Sequence, residues 1–211
     1  MKTLTISSVA GWARVLAVWL GVLSLCACST LSKTSAPPPA FYALDAPLPL
    51  ASQLAPSSQL TLLISPPYAA SGFDSQRMVY VRQDHQLEYF AHSEWVDSPA
   101  RMLGPLLVSA AQHTGAFAAV VLASGTAAGD LRLNTDIQRL QHNFRTSPSR
   151  VQLRLRVYLL DEKTRKVLAW KEFNAEAEAT SDTPQGGVAA ANRVVQQVLT
   201  QVAQFLVNRP K

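Results

Sequence analysis

The stretch Val151-Gln-Leu-Arg-Leu-Arg-Val-Tyr-Leu159 is apolar at every odd-numbered position, and its even-numbered positions begin with Gln, Arg and Arg. A period of two residues is typical of a β-strand with one buried face and one solvated face. The polar segment Asp161–Lys166 separates it from a second run, up to Glu178, whose apolar face is interrupted only by Lys171. The two runs predict a long antiparallel hairpin.

We place the centre of this turn at Lys163, which fixes the residues that face one another. The predicted pairs are Leu153 with Phe173 and Val157 with Ala169 on the buried face, and Arg150 with Glu176, Arg154 with Glu172 and Arg156 with Trp170 on the polar face. The row of three arginines could bind anionic lipid headgroups. Because glutamates lie opposite, a solvated face of weak salt bridges is the favoured interpretation.

Two helices are predicted from their caps and apolar stripes. Ser98-Pro99 is typical of a helix start, and Gly115 is expected to end this first helix. The dipeptide Gly104-Pro105 should kink or delay it. The second helix starts at Thr183-Pro184, and its apolar stripe consists of Val188, Val194, Val195, Val198, Leu199, Val202, Phe205 and Leu206.

Shorter strands are predicted before the long hairpin. They are Phe41–Leu44, Gln59–Ser65, the hairpin arms Arg77–Arg82 and Gln86–Ala91, a buried strand Phe117–Leu122 and a half-exposed strand Asp130–Arg139. Trp95 is expected in the core rather than on a binding surface. This order of elements indicates an α+β fold: a single domain with an antiparallel β-sheet and two main helices packed on one face.

The N-terminus has the pattern of a secretory signal. Lys2 and Arg14 precede the apolar run Val15–Leu25, and small residues follow it. Leu25-Cys26-Ala27-Cys28 resembles a bacterial lipobox, in which Cys28 is the lipidated residue; Cys26 fits worse because Leu25 would precede the cut. An uncleaved membrane anchor is the alternative. The predicted organisation is a signal peptide over 1–27, a flexible Pro-rich tether over 28–40 and one domain over 41–211.

Composition excludes several classes of function. The 211-residue chain carries a formal net charge of +5, and two of its 19 basic residues belong to the predicted signal. The remaining charge is weak evidence for a nucleic-acid partner, and none is expected. Cys28 would be the only cysteine after cleavage, so neither a disulfide nor a thiolate metal site is expected within the domain.

No arrangement of residues predicts catalysis. The histidines, His85, His92, His113 and His142, are scattered without metal-ligand spacing. The sequence contains no Gly-x-Ser-x-Gly nucleophile elbow, and the segment Gly125–Gly129 lacks the Lys and Ser/Thr of a phosphate-binding loop. We therefore expect no enzyme, no cofactor and no metal.

A block in the first half resembles a known family. It comprises Ser71-Gly72-Phe73-Asp74, Arg77-Met-Val-Tyr80, Leu87-Glu88-Tyr89-Phe90, Trp95, Pro99, Leu103 and Leu107, followed by Thr114-Gly115-Ala116-Phe117 and Val120. This pattern resembles the ABC-type transport auxiliary lipoprotein family, which includes the paraquat-inducible protein C lipoproteins. The resemblance covers roughly residues 41–207, and its most specific part is Arg77–Leu107.

The resemblance implies a non-enzymatic partner of an MCE-type lipid or solvent transport system. Its expected partners are a periplasmic MCE-domain protein and ABC transporter components, with the lipid membrane bound through the anchor and a homo-oligomer possible. Ser29 is not the Asp that marks inner-membrane retention in enterobacterial lipoproteins, so the periplasmic face of the outer membrane is the expected location. The alternative is an assembly or pilot lipoprotein for an unrelated envelope complex.

Overall fold

The secondary structure is defined in a computed structural model of the chain, which describes residues 38–46, 57–123 and 127–209. The strands are β1 (Ala40–Tyr42), β2 (Thr61–Ile64), β3 (Tyr68–Ala69), β4 (Arg77–Val81), β5 (Glu88–Trp95), β6 (Ala119–Leu122), β7 (Leu131–Asn143), β8 (Arg150–Asp161) and β9 (Val167–Glu178). The helices are α1 (Pro99–Gln112) and α2 (Pro184–Val207). Within the described ranges, neither helix has the length and apolar character needed to cross a membrane.

The sheet is organised around β7, because both edges of this strand are paired. One edge pairs with β8 in the antiparallel direction along the whole strand. The other edge is shared in turn by β2, β3 and β4, all parallel to β7. The sheet is therefore mixed, whereas the sequence predicts an antiparallel one. A period-two pattern identifies strands but not their directions, since parallel neighbours are joined by long crossover connections.

The remaining strands extend the sheet outward. β6 lies beyond β2, β5 and β1 lie beyond β4, and β9 lies beyond β8. Both helices pack on one face of the sheet and against each other, with α2 over β8 and β9 and α1 over β2, β3 and β6. The inward side chains of β8 are all buried under α2: Val151, Leu153, Leu155, Val157 and Leu159. The predicted α+β class, single domain and two helices on one face are confirmed.

The hairpin of β8 and β9 has the predicted faces but a different register. The structure pairs Leu153 with Ala175, Leu155 with Phe173, Leu159 with Ala169, Arg150 with Glu178, Arg154 with Asn174 and Arg156 with Glu172. This shift of two residues keeps every side chain on its predicted face. The turn itself is centred between Lys163 and Thr164, where Asp161 Oδ1 accepts the Thr164 N–H at 2.7 Å and Arg165 adopts a φ of 58°. A bulge between Leu159 and Leu160 adds the rest of the shift.

Two strands differ in extent or exposure from their predictions. The sequence predicts a buried strand over Phe117–Leu122, but β6 is shorter and only its Val120 is buried, because it lies at the edge of the sheet. β7 runs beyond the predicted end at Arg139 as far as Asn143. A bulge interrupts its pairing with β8 between Ile137 and Arg139, which explains why the simple alternation ends there.

The first half of the domain also contains irregular pairing. Between β4 and β5, Arg77 lies opposite Glu94 but Val79 lies opposite Tyr89, so residues 90–93 bulge opposite a single residue. Trp95, just after this bulge, is 5% exposed, and its predicted core position is confirmed. α1 continues through Pro105, its seventh residue, so Gly104-Pro105 does not delay the helix; Pro105 has no N–H to donate to the carbonyl of Arg101.

Candidate functional site

The predicted lipidation site, Cys28, lies outside the described residues, so lipid attachment stays a prediction. The chain beyond the predicted tether is fastened to the domain at two points. β1 pairs with β5, and the Val96 N–H donates to the Tyr42 carbonyl at 2.8 Å. Asn192 of α2 accepts the Asp45 N–H at 2.6 Å and donates to the Ala43 carbonyl at 3.3 Å. A tether ending here would be joined to both the sheet and α2.

The arginine row lies on the outer face of the sheet, which is the face opposite the helices. Arg150 pairs with Glu178 at 2.8 Å, and Glu172 receives Arg156 at 2.7 Å and Arg154 at 3.8 Å. The hydrogen bond from Arg156 holds the pKa of Glu172 below its ordinary value, which keeps this carboxylate charged. The predicted salt-bridged interpretation is confirmed, and these arginines are not a free row for anionic headgroups.

The four histidines have separate surroundings. His85 lies in the turn between β4 and β5 with a φ of 63°, and His92 is exposed on β5. His113 follows α1, where its Nδ1 lies 2.6 Å from the Ser109 carbonyl oxygen. His142, near the end of β7, is the buried member. Within the described parts of the chain, no group of three or more His, Cys, Asp or Glu side chains is placed to hold a metal ion.

His142 belongs to a polar cluster that the sequence analysis does not predict. Its Nε2 lies 2.8 Å from Oγ of Ser149, which precedes β8, and the Ser149 hydroxyl donates to Asp182, just before α2. The Ser149 carbonyl also accepts the N–H of Ala179, the residue after β9, at 2.8 Å. The cluster therefore ties the ends of β7 and β9 and the start of α2 together.

The order of groups in this cluster differs from that of a catalytic triad. In a Ser-His-Asp triad the imidazole lies between the hydroxyl and the carboxylate and accepts the hydroxyl proton. Here Ser149 lies in the middle and gives its single proton to Asp182, so its Oγ accepts Nε2–H from His142. Ser149 is only 1% exposed. This geometry suits a structural cluster better than an activated nucleophile.

The imidazole of His142 is closely packed on all sides. Its ring centroid lies 4.1 Å from that of Phe144, and its Nδ1 has no hydrogen-bond partner among the described residues. Gly187 of α2 packs against the same ring edge, where a Cβ atom would approach Nδ1 to 2.6 Å. Burial lowers the pKa of His142, and the nearby Asp182 carboxylate opposes this effect only in part. The folded protein thus favours neutral His142.

An exposed apolar part of the sheet lies at the start of β9. This strand pairs with β8 on one edge, and no described strand pairs with its other edge. Val167, Leu168 and Trp170 are exposed there, and we call these three residues the β9 apolar edge; Trp170 is 60% exposed. The guanidinium of Arg156 lies 5.5 Å from the centroid of the Trp170 ring. The sequence signal for this site is a tryptophan on the polar face of a predicted strand.

Lys171 limits how this edge can pair. It lies on the helix side of β9, where its Nζ is 5.3 Å from the centroid of the Phe173 ring. An inward-pointing charge on an edge strand opposes unselective strand pairing. A strand that paired with β9 would have to accommodate this ammonium group. The edge should therefore pair selectively rather than with any exposed strand.

A nine-stranded mixed sheet with two helices on one face defines a small α+β domain. Its fold resembles that of the Xanthomonas campestris protein XCC0632, which is 22% identical; the match covers 80% of this chain and 94% of that protein, with a TM-score of 0.72. The solved structure of an uncharacterized protein is 15% identical and covers 80% of this chain and 99% of its own, with a TM-score of 0.62. Among curated proteins, no sequence matches the chain significantly.

The chain belongs to the family of ABC-type transport auxiliary lipoprotein components, whose family model matches residues 42–203. The resemblance in the sequence is thereby confirmed. Members of this family are auxiliary components of transport systems, and the family is not a known enzyme family. Because its members are lipoproteins, a location in the cell envelope is indicated.

Proposed function

We propose that this chain is a non-catalytic docking lipoprotein that holds the periplasmic MCE-domain protein of an ABC transport system at the outer membrane. Membership of the auxiliary lipoprotein family supports a role beside the transporter. The lipobox-like Cys28 and the following Ser29 support an outer-membrane anchor. The buried, proton-donating position of Ser149 supports a role without catalysis.

The observation that carries the proposal is the β9 apolar edge. An unpaired strand edge can accept a strand from another protein, and exposed apolar side chains beside it add contact area. Glu176 on β9 favours a partner strand with a basic side chain, because it is bonded to the neutral Gln152, whereas Glu172 and Glu178 are paired with arginines. We therefore place the contact with the MCE-domain protein along β9.

The tether supports the same role through geometry. Lipid on Cys28 would confine the domain to one membrane, and residues 28–40 would let it reach a periplasmic partner. Confinement raises the effective concentration of the domain near the partner, so that even a weak edge contact becomes occupied.

The anchor can be tested separately from the docking contact. Cys28→Ala should release the protein from membranes or leave an unprocessed precursor, because no thiol would remain at the lipobox position for lipid attachment. Cys26→Ala is the matched control and should change neither processing nor location. Membrane fractionation with metabolic lipid labelling measures both outcomes, and unaltered labelling of the Cys28 variant would contradict the anchor assignment.

The docking contact can be tested with a photocrosslinking amino acid in the full-length lipoprotein in its own bacterium. Placed at Trp170, the probe should capture an MCE-domain protein, which mass spectrometry would identify. The matched control is Phe41, an exposed aromatic residue on the edge strand β1, which should not capture that protein. Capture of an unrelated envelope complex at position 170 would favour the pilot-lipoprotein alternative. Capture of only a second copy of the chain would contradict docking through β9.

A further inference from the structure

A large cleft opens at the end of the sheet where β2, β7 and β9 begin and both helices end. Its volume is about 780 Å³, which lies within the usual range of small-molecule sites. The apolar part of its lining includes Leu60, Leu131, Leu168 and Val207. Three of these side chains, those of residues 60, 168 and 207, are exposed in the structure. An exposed apolar wall inside a concave site is typical of a surface that binds an apolar group.

Arg209 lies at this cleft just beyond α2, where its contacts with the described residues are to neutral groups. Its guanidinium is 4.4 Å from the centroid of the Phe117 ring and donates to the carbonyls of Leu206 at 2.9 Å and Ala116 at 3.3 Å. No carboxylate of the described residues pairs with it. Burial lowers the pKa of Arg209, which is the opposite of the shift that an ion pair gives. A partly desolvated cation held only by neutral groups is suited to receive an anion.

The acidic residues of the cleft are already engaged by the protein. Asp130 Oδ2 accepts the Thr61 N–H at 2.9 Å, and Asp161 Oδ1 accepts both the N–H and the hydroxyl of Thr164, at 2.7 and 2.8 Å. Lys163 lies in the same lining and forms no ion pair with the described residues. Neither cation of the cleft is therefore in a salt bridge with a described residue, whereas both of its carboxylates accept hydrogen bonds within the domain.

We propose that this cleft binds an anionic amphiphile, with its carboxylate or phosphate head at Arg209 and its apolar chain along Leu60, Leu168 and Val207. The guanidinium offers planar donors that match either head group. Lys163 adds a second positive charge at the mouth of the cleft. The cleft shares Leu168 with the β9 apolar edge, but binding in the cleft does not require docking through β9.

The test uses the full-length lipoprotein in micelles of a non-ionic detergent. It is exposed to a hexadecanoate probe that carries a photoreactive group and an alkyne, and the labelled peptides are mapped by mass spectrometry. Labelling should concentrate on peptides that contain Leu60, Leu168 and Val207. A hexadecylamine probe of the same chain length should label them about tenfold less, because its charge is repelled by Arg209. A matched phosphatidic acid probe shows whether a carboxylate or a phosphate head is preferred.

Arg209→Gln should reduce carboxylate labelling about tenfold, since one charge-assisted contact is lost. Arg193→Gln removes the same charge from an exposed position on α2 outside the cleft and should leave the labelling unchanged. Leu168→Asp, at an exposed position, is a second variant that should also reduce labelling without unfolding the domain. Equal labelling by acid and amine probes, or full labelling of the Arg209 and Leu168 variants, would overturn the proposal.

Discussion

Polar side chains are buried at one end of the sheet, whereas at the other end a charged side chain faces a cleft. At the end of β7, His142 and Ser149 are buried, and the cavity beside them measures about 20 Å³, roughly the space of one water molecule. At the start of β7, Arg209 faces a cleft of about 780 Å³. We call these regions the sealed end and the open end.

The difference separates polar groups that stabilise the fold from polar groups available to a ligand. In the sealed end, the hydroxyl of Ser149 bridges His142 and Asp182, so its hydrogen bonds are made within the protein. In the open end, the contacts of the Arg209 cation with the described residues are to backbone carbonyls and an aromatic ring. Substitutions in the sealed end should therefore affect stability, and those in the open end should affect binding.

The largest expected effect is that of Gly187→Ala in the sealed end. The new Cβ would approach Nδ1 of His142 to 2.6 Å, and the ring cannot retreat because Phe144 packs against it. Overpacking of this kind should cost about 2 kcal/mol, even after the gain in helix propensity. Urea unfolding followed by tryptophan fluorescence measures the loss.

Gly104→Ala in α1 is the matched control for this prediction. Its Cβ would meet Pro67 and Leu122 at 3.4 and 3.5 Å, which is ordinary contact. The higher helix propensity of Ala is opposed by crowding between its Cβ atom and the ring of Pro105, so stability should change by less than about 1 kcal/mol. If both glycine variants behaved alike, the close packing of the sealed end would be contradicted.

The sequence predicts those parts of the fold that local residue patterns determine. The alternation in β8 and the caps of α1 and α2 predict these elements, because one buried face imposes a period on each. The register of β8 and β9 was not accessible, since the turn contains no glycine and its position depends on Asp161 and Thr164. The parallel pairing of β2, β3 and β4 with β7 joins distant segments, which local periodicity does not encode.

Ser149→Ala should cost the next largest amount, about 1 to 2 kcal/mol. The substitution leaves Nε2 of His142 without its partner inside the protein, and unpaired buried polar groups are costly. Thr146→Ala, in the exposed segment between β7 and β8, removes only a hydroxyl that donates to the Pro148 carbonyl, so it should cost less. Equal losses in the two variants would contradict a stabilising role for the cluster.

The pH dependence of stability should also report on the sealed end. Because burial lowers the pKa of His142, the unfolded chain binds a proton near pH 6.5 that the folded protein does not bind. The free energy of unfolding should therefore fall as pH decreases below about 6.5, until His142 titrates in the folded state as well.

His142→Gln is the variant that tests this dependence, because glutamine can still donate to Ser149 but does not titrate. Its stability should change less than that of the wild type between about pH 7 and pH 5.5. Other carboxylates change the free energy of unfolding in a separate window at lower pH, because hydrogen bonds from arginines lower their pKa values. These are the carboxylates of Glu88, Glu162 and Glu172. An identical slope in variant and wild type would assign the dependence to other groups.

The two ends also differ in how far the sequence predicts them. His142 lies inward because the bulge between Ile137 and Arg139 shifts the alternation of β7 by one residue, so a longer strand prediction with unbroken alternation would have placed it on the outer face. Its partner Asp182 is distant in the sequence, and no local pattern joins the two. Arg209 follows the apolar stripe of α2 and gives no sign of its contact with Phe117. Both sites arise where separate elements converge, which explains why residue spacing does not reveal them.

The smallest expected effect on stability is that of Arg209→Gln in the open end. The guanidinium gains two hydrogen bonds to carbonyls and a contact with Phe117, but it is partly desolvated without an acidic partner. These contributions oppose one another, so stability should change by no more than about 0.5 kcal/mol. Urea unfolding of this variant beside Gly187→Ala compares the two ends directly. A loss as large as that of the glycine variant would make Arg209 a structural residue and remove the distinction between a sealed and an open end.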